Sequence, residues 1–334
     1  MTSPSAELFA GRRRGHREAL GRLAVRAIRA VAMLFIVSAF VFFFTQALPG
    51  DVARSVLGQS ATPEQIARIN AELGLDQPVW QQYLEWLGGL LRFDLGHSLT
   101  SGEPVTTLVG GELLHTTLLV LMTVCIVVPA SIALGTAAAS RPGGVLDHVI
   151  SGTVAVVLSI PEFVFGILVV IVLGINVLPV LPPTSIIDPN RPPLGQLDVF
   201  VLPVLTLAVT ALPYLAESVK SAVREELTRD YATWAELSGV RRRTVVWRMA
   251  LRNALAPSVQ VVALTVTYLV GGTVAVETVF SFPGAGSGLV DAVANRDIPV
   301  VQAIAMVVAT VSLAVYVIAD LASTLLIPRE RTRL

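Results

Sequence analysis

Long apolar runs dominate the pattern of this chain, and six of them are long enough, at about 20 residues per crossing, to span a bilayer. They cover Ala27–Leu48, Leu113–Ala139, Val149–Leu178, Val199–Val219, Leu255–Val276 and Val300–Ile327. The first follows an arginine-rich stretch, as a secretory signal would. Its apolar core is long, however, no A-x-A site follows, and Arg12–Arg14 lie too far upstream for a twin-arginine signal. It is read as a retained first helix.

The polar stretches between these runs carry helix signals of their own. After the first span, Thr62 stands as an N-cap before Pro63 and Gln65, Ile66, Ile69 and Leu73 share a face, and Gly74 stops the helix. A second short helix is expected from Pro78, with Val79, Tyr83, Trp86, Leu87 and Leu90 turned inward. Its Trp and Tyr suit a membrane surface. A connection this long is either a docking surface or a lid without partner contacts, and length favours docking.

Between the fourth and fifth runs, Asp230 is expected to cap a helix that places Tyr231, Trp234, Ala235 and Ser238 on one face and ends at Gly239. Ala232, Ala235 and Gly239 form a neighbouring small-residue stripe that lets another backbone approach closely. Arg241–Arg243, Arg248 and Arg252 then make a basic helix returning to the membrane. These residues alone fit either a solvated loop whose arginines serve orientation or a contact surface.

Charge fixes the sidedness. Of 24 Lys and Arg, seven lie at or before Arg29, one is Arg141, eight lie between Lys220 and Arg252, and three follow Ile327. The other three loops share the remaining five. By the positive-inside rule both termini and the loop containing Asp230 face the cytoplasm. Composition agrees with a membrane protein: 54% hydrophobic and only 14% charged residues, against roughly a quarter charged in soluble chains. A lone cysteine, Cys125, excludes an intramolecular disulfide.

Several chemistries are excluded. A phosphate-binding loop needs G-x-x-x-x-G-K-S/T, yet the only lysine, Lys220, follows Glu217-Ser218-Val219. His16, His97, His115 and His148 are scattered and match no zinc spacing. The glycines of Phe282-Pro283-Gly284-Ala285-Gly286-Ser287-Gly288 follow a membrane span rather than a strand, and Ala285 stands where a serine nucleophile elbow would need Ser. An aromatic-Pro-Gly-x-Gly turn suits a sharp or re-entrant bend. Pro203 and Pro213 are expected to bend the fourth span. The third span carries Pro161, expected to kink it, and Glu162 near the midplane. An acid there costs about 2.5–3.5 kcal/mol on insertion scales. It either lines a pathway and meets a cationic group or locks helices together. Asp320, near the end of the sixth span, is read as a structural pairing residue. A secondary transporter would show repeats and several mid-membrane acids, which this sequence lacks.

Motifs recur in order along about residues 20 to 330. They are Leu48-Pro49-Gly50-Asp51, Ala61-Thr62-Pro63-Glu64, Glu72-Leu73-Gly74-Leu75-Asp76-Gln77-Pro78, Phe93-Asp94-Leu95-Gly96-His97-Ser98, Ala235-x-x-x-Gly239 with Val246-Trp247-Arg248 and Ala250–Pro257, Glu277–Leu289, and the stretch from Asp291 to Gln302. Together they resemble the B-type permease subunits of dipeptide, oligopeptide and nickel ABC importers. Thr233 and Trp234 stand where the general coupling motif has acid and Ala, and Ile327 where the family usually has an acid.

The resemblance implies an all-α integral membrane protein of type I importer architecture, about six transmembrane helices with a helical extracytoplasmic segment after the first. Its parts would be a basic cytoplasmic tail at 1–26, a first span at 27–48, an outer segment at 49–112, a five-helix core at 113–327 with the coupling loop at 220–254, and a tail at 328–334. It implies a bacterial inner-membrane subunit without an ATPase site of its own. The chain would bind no cofactor, with ATP and Mg on two partner ATP-binding subunits. Its other partners would be a second homologous permease and an extracytoplasmic substrate-binding protein, with no nucleic acid. Asp230, Tyr231, Ala232, Trp234, Ala235 and Gly239 would couple to the ATPase. Pro161 and Glu162 would line the pathway, and Phe282, Pro283, Gly284 and Gly286 would form a gate or a docking turn. Small peptides are the expected cargo, with nickel chelates, glutathione or another small solute as alternatives.

Overall fold

An apolar segment crossing a bilayer alone must satisfy its own backbone, so it forms a helix. The computed structural model describes residues 4–46, 62, 64, 76–176 and 179–326. Its helices are α1 (Pro4–Gln46), α2 (Val79–Leu91), α3 (Val105–Ser140), α4 (Val145–Ser159), α5 (Glu162–Val169), α6 (Asp198–Leu227), α7 (Asp230–Leu237), α8 (Leu251–Phe280), α9 (Ala285–Ala294) and α10 (Ile298–Leu326). A wide π-turn, Val170–Ile175, extends α5, and another, Val245–Ala250, leads into α8.

Among the described residues, five helical stretches are long and apolar enough to cross a membrane: Val25–Gln46, Val105–Ser140, Asp198–Leu227, Pro257–Phe280 and Ile298–Ser323. The crossing expected over Val149–Leu178 is not one rod. Instead α4 and α5 meet at 102°. Ile160 is extended (φ −121, ψ 126), and Pro161 (φ −58, ψ 143) opens α5 as its N-cap. Proline lacks an N–H and disfavours helical geometry in the residue before it. Here the expected kink becomes a complete break.

The central element is α6, packed between α3 and α8. Phe200, Leu202, Leu207 and Leu215 of α6 meet Leu119 and Val127 of α3 and Leu269, Val276 and Phe280 of α8 in the main apolar core. The approach of α3 to α6 is closest at Gly135, where a Cβ would stand 2.5 Å from the Ala216 carbonyl oxygen and 2.9 Å from Val219 Cβ. A second cluster, including Val105, Val109, Ala292, Val300 and Ile304, seats α9 against α3 and α10.

At the periphery, α1 packs along α10. Arg26 Nε lies 2.7 Å from Asp320 Oδ2, and Gln302 Nε2 donates to Thr45 Oγ1 at 2.8 Å. The helix expected after Thr62 falls almost wholly outside the described residues. The one expected from Pro78 is α2, which lays Tyr83 and Trp86 on Phe42 of α1, both with ring centroids 5.4 Å away. Leu87 is buried, whereas Val79 is exposed rather than inward, because it opens the helix a full turn before Tyr83, which meets α1. Phe93–Ser98 closes on the start of α10: Asp297 accepts from Ser98 Oγ, from Thr100 Oγ1 at 2.8 Å and from the Leu99 N–H at 3.1 Å.

Gly135→Ala is expected to cost about 1–3 kcal/mol through overpacking, read as a lower Tm in detergent. Gly111→Ala, where nothing lies within 4 Å of an added Cβ, should hold or raise Tm. Equal effects would refute the close-approach argument.

Candidate functional site

The turn between α8 and α9 is built around a buried carboxylate. Ser281 takes a left-handed conformation (φ 51) that ends α8. The chain then doubles back so that Glu277 faces the start of α9. Glu277 accepts from Thr116 Oγ1 at 2.7 Å, the Gly286 N–H at 2.7 Å and the Ser287 N–H at 3.0 Å. A carboxylate at a helix N-terminus fills orphan donors and meets the positive end of the helix dipole. Thr116 in turn accepts from the Ala285 N–H at 2.8 Å. A Cβ on Gly286 would stand 2.6 Å from Val274 Cα, and one on Gly284 would fall on the Glu277 carboxylate.

Phe282 packs edge-on to Phe200 at 5.2 Å, and the Pro283 carbonyl pairs with His115 Nδ1 at 2.8 Å. Phe282, Gly284 and Gly286, expected to form a docking or gate surface, are buried, and Pro283 is half-buried. They fix the turn rather than present it. Sequence reasoning missed Glu277, although an acid closing an apolar span just before a glycine turn was the available signal.

Around the α4–α5 break lies a cavity of about 650 Å³ lined by Pro161, Glu162, Thr210, Tyr214, Leu264 and Tyr268, among others. Both expected pathway residues therefore reach one space. The Tyr268 hydroxyl donates to Glu162, and Gly272 leaves room for the carboxylate, since a Cβ there would stand 2.8 Å from Glu162 Oε1. The two tyrosines come from α6 and α8, and nothing local in the sequence marks them.

The short helix α7 begins differently from the expectation. Arg229 (φ −77, ψ 151) is the N-cap, and Asp230 is the first helical residue, making no capping bond. Its charge still lies in the first turn, where the dipole favours an acid. Gly239 ends the helix as expected: at φ +83 it lets its own N–H reach the Glu236 carbonyl and the Val240 N–H reach Ala235, both at 3.0 Å.

Of the small-residue stripe, Ala232 is buried against the rest of the chain, Ala235 is half-buried and Gly239 is exposed. Tyr231 donates to Glu226 at 2.7 Å. Burial, with Glu226 beside it, pushes the Tyr231 pKa upward and keeps the phenol a neutral donor. The outward face presents Trp234, 70% exposed, and Leu237, 78% exposed. Leu237 lies three residues after Trp234, so helical spacing puts the two on neighbouring positions of one face.

Apolar helices around a central helix, one of them broken beside a cavity, with a short helix presented on a basic loop, define a helical membrane permease. The chain belongs to the family of binding-protein-dependent transport system inner membrane components, whose model matches residues 131–332, and the family's N-terminal model matches residues 20–135. Over 308 residues it is 33% identical to the "Probable peptide ABC transporter permease protein y4tP" of Sinorhizobium fredii, covering 92% of this chain and 97% of that one. Over 313 residues it is 32% identical to the dipeptide transport system permease protein DppB of Escherichia coli, covering 87% and 92%. This is a transport family, not a catalytic one, and its systems in general pair a permease with an ATPase and a substrate-binding protein.

Glu277→Leu leaves two buried N–H groups without an acceptor, at about 1–3 kcal/mol each. Glu277→Gln can keep its oxygen on Gly286 and Ser287 and turn its NH2 to Thr116. The leucine variant should therefore lose much more Tm than the glutamine variant. Equal losses would contradict the capping role.

Proposed function

We propose that the chain is one permease half of an ATP-driven importer of dipeptides or oligopeptides. It pairs with a second homologous permease, two ATP-binding subunits and an extracytoplasmic binding protein. The peptide cargo is supported by the relatives' names. The observation that carries the coupling role is α7, which offers Trp234 and Leu237 outward while Tyr231 ties it to Glu226 at the end of α6 and its other side packs on the π-turn Val245–Ala250 that leads into α8. A short helix exposed on one side and packed on the approaches to two spans on the other suits a part gripped by one protein and levering another. In this reading Tyr231, Ala232 and Gly239 hold the shape of α7, Asp230 favours its first turn, and Ala235 and Trp234 meet the ATPase.

Cytoplasmic placement of both termini is supported by the distribution of Lys and Arg and by the Arg26–Asp320 pair, which brings the start of the first span beside the end of the last. That ATP and Mg belong to the partners, with no cofactor on this chain, is supported by Lys220. Its ammonium is buried between Asp147 at 2.9 Å and Glu217 at 2.6 Å, so it is unavailable to a phosphate. Transport proceeds by alternating access. The binding protein docks over residues 49–112 beside the buried turn, closure of the ATPase moves α7, and the cavity at Pro161 and Glu162 opens to each side in turn.

Trp234→Ala removes an exposed side chain, so folding stability should stay within about 0.5 kcal/mol of wild type. As an interface anchor it should weaken ATPase-subunit binding by about 2 kcal/mol, roughly thirtyfold in Kd, and reduce uptake into proteoliposomes. Gly239→Glu, which forces a bulky residue into the left-handed region, should abolish coupled uptake. Unchanged binding in the first variant, together with normal peptide-stimulated ATP hydrolysis in the second, would sink the coupling assignment.

A further inference from the structure

Among the described residues, several acids near the ends of the spans have cationic partners, Asp147 with Lys220 and Arg224, Glu217 with Lys220, Glu226 with Arg229 and Asp320 with Arg26, while Glu277 and Asp297 are each held by several hydroxyl and backbone donors. Glu162 has neither a cationic partner nor a set of donors. Its bond is from the Tyr268 hydroxyl, and it stands at the rim of the α4–α5 break facing the 650 Å³ cavity. The other walls are chiefly apolar, with the rings of Tyr214, Tyr268 and Phe163 among them. A lone carboxylate beside aromatic faces in an apolar cavity matches an ammonium head on a partly apolar body, since charge pairing and cation–π attraction act on the same group. Gly272 keeps the space the carboxylate occupies.

We infer that this cavity is a transient cargo subsite in which Glu162 receives a primary ammonium group, the amino terminus of a peptide, with Tyr268 holding the carboxylate until the cargo arrives. The inference rests on the permease reading and adds the chemical group that the pathway selects. An incoming ammonium replaces a neutral phenol as the donor to Glu162. The exchange adds the Coulombic attraction of two opposite charges, which the phenol–carboxylate bond lacks.

The test uses the reconstituted complex with cysteine-free partner subunits, Cys125→Ala and Ser159→Cys, which places a thiol on the cavity wall. A cationic thiosulfonate should react faster than an anionic one. Adding Glu162→Gln should lower that rate ratio by about tenfold, the effect of one unit charge felt through water at about 6 Å by reagents of opposite sign. Butylammonium, but not butanol, should protect the thiol from an uncharged thiosulfonate, and Glu162→Gln should remove the protection while Tyr268→Phe keeps it. Trialanine, whose only cation is its amino terminus, should be taken up more slowly by the Glu162→Gln complex.

A rate ratio indifferent to Glu162→Gln, equal protection by butanol, or unaltered trialanine uptake overturns the assignment. If helix locking were the whole role of Glu162, Tyr268→Phe would match Glu162→Gln in every measurement, which also overturns it. A wild-type complex that imports no peptide yet shows Glu162-dependent protection would instead refute the proposed cargo and keep the cation subsite.

Discussion

The buried carboxylate of Glu277 holds together groups that have nowhere else to bond. In the low-dielectric interior an N–H at a helix start must find an acceptor within the protein, and Glu277 gives one to Gly286 and to Ser287 while a third bond reaches across to Thr116 of α3. These contacts fix the direction in which α9 leaves the turn. Once α9 lies across α3, Ala285 and Ala292 complete the cluster that seats Val300 and Ile304 of α10. The start of α10 is then secured by Asp297, which collects Ser98, Leu99 and Thr100. Two acids thus anchor the end of the bundle that holds α9 and the start of α10, each accepting from backbone that the fold has bent away from regular pairing.

The helix that carries Glu277 also passes the other two sites. At 30 residues, α8 is about 45 Å long. Its approach, the π-turn Val245–Ala250, packs on α7, its middle supplies Tyr268 and Gly272 to the cavity, and its end bears the glycine turn. In the proposed coupling, one continuous helix would link α7 to the cavity and the turn. Pro257 in its early turns lacks an N–H and removes one ladder bond on that path.

Much of this was legible from residue order alone. Apolar runs of span length have one stable form in lipid, and Gly239 is a helix stop because left-handed geometry favours glycine. What the sequence hid depends on contacts distant along the chain. Thr116 and Glu277 lie 161 residues apart, and Glu162 and Tyr268 lie 106 apart, so neither acid announces its donor. The prolines make the same point. Pro129, Pro203, Pro213 and Pro257 sit inside continuous helices, while Pro161 breaks one. The residue type is constant. What differs is the surroundings: α6 is flanked by α3 and α8, whereas the α4–α5 junction borders a cavity.

Acids in this chain divide by what neutralises them. Asp147 accepts from Lys220, from Arg224 and from the Gly143 N–H, a set of partners that leaves the carboxylate no further task. Asp297 and Glu277 are bonded by backbone and hydroxyl donors in geometry that the fold cannot relax without exposing those donors. Glu162 is different because its partner is one phenol on a neighbouring helix, beside open space. Fully satisfied polar networks rigidify a fold, and Asp147, Asp297 and Glu277 hold the shape in that way. Glu162, with its single phenol donor beside open space, is the carboxylate on which the proposed cargo subsite draws.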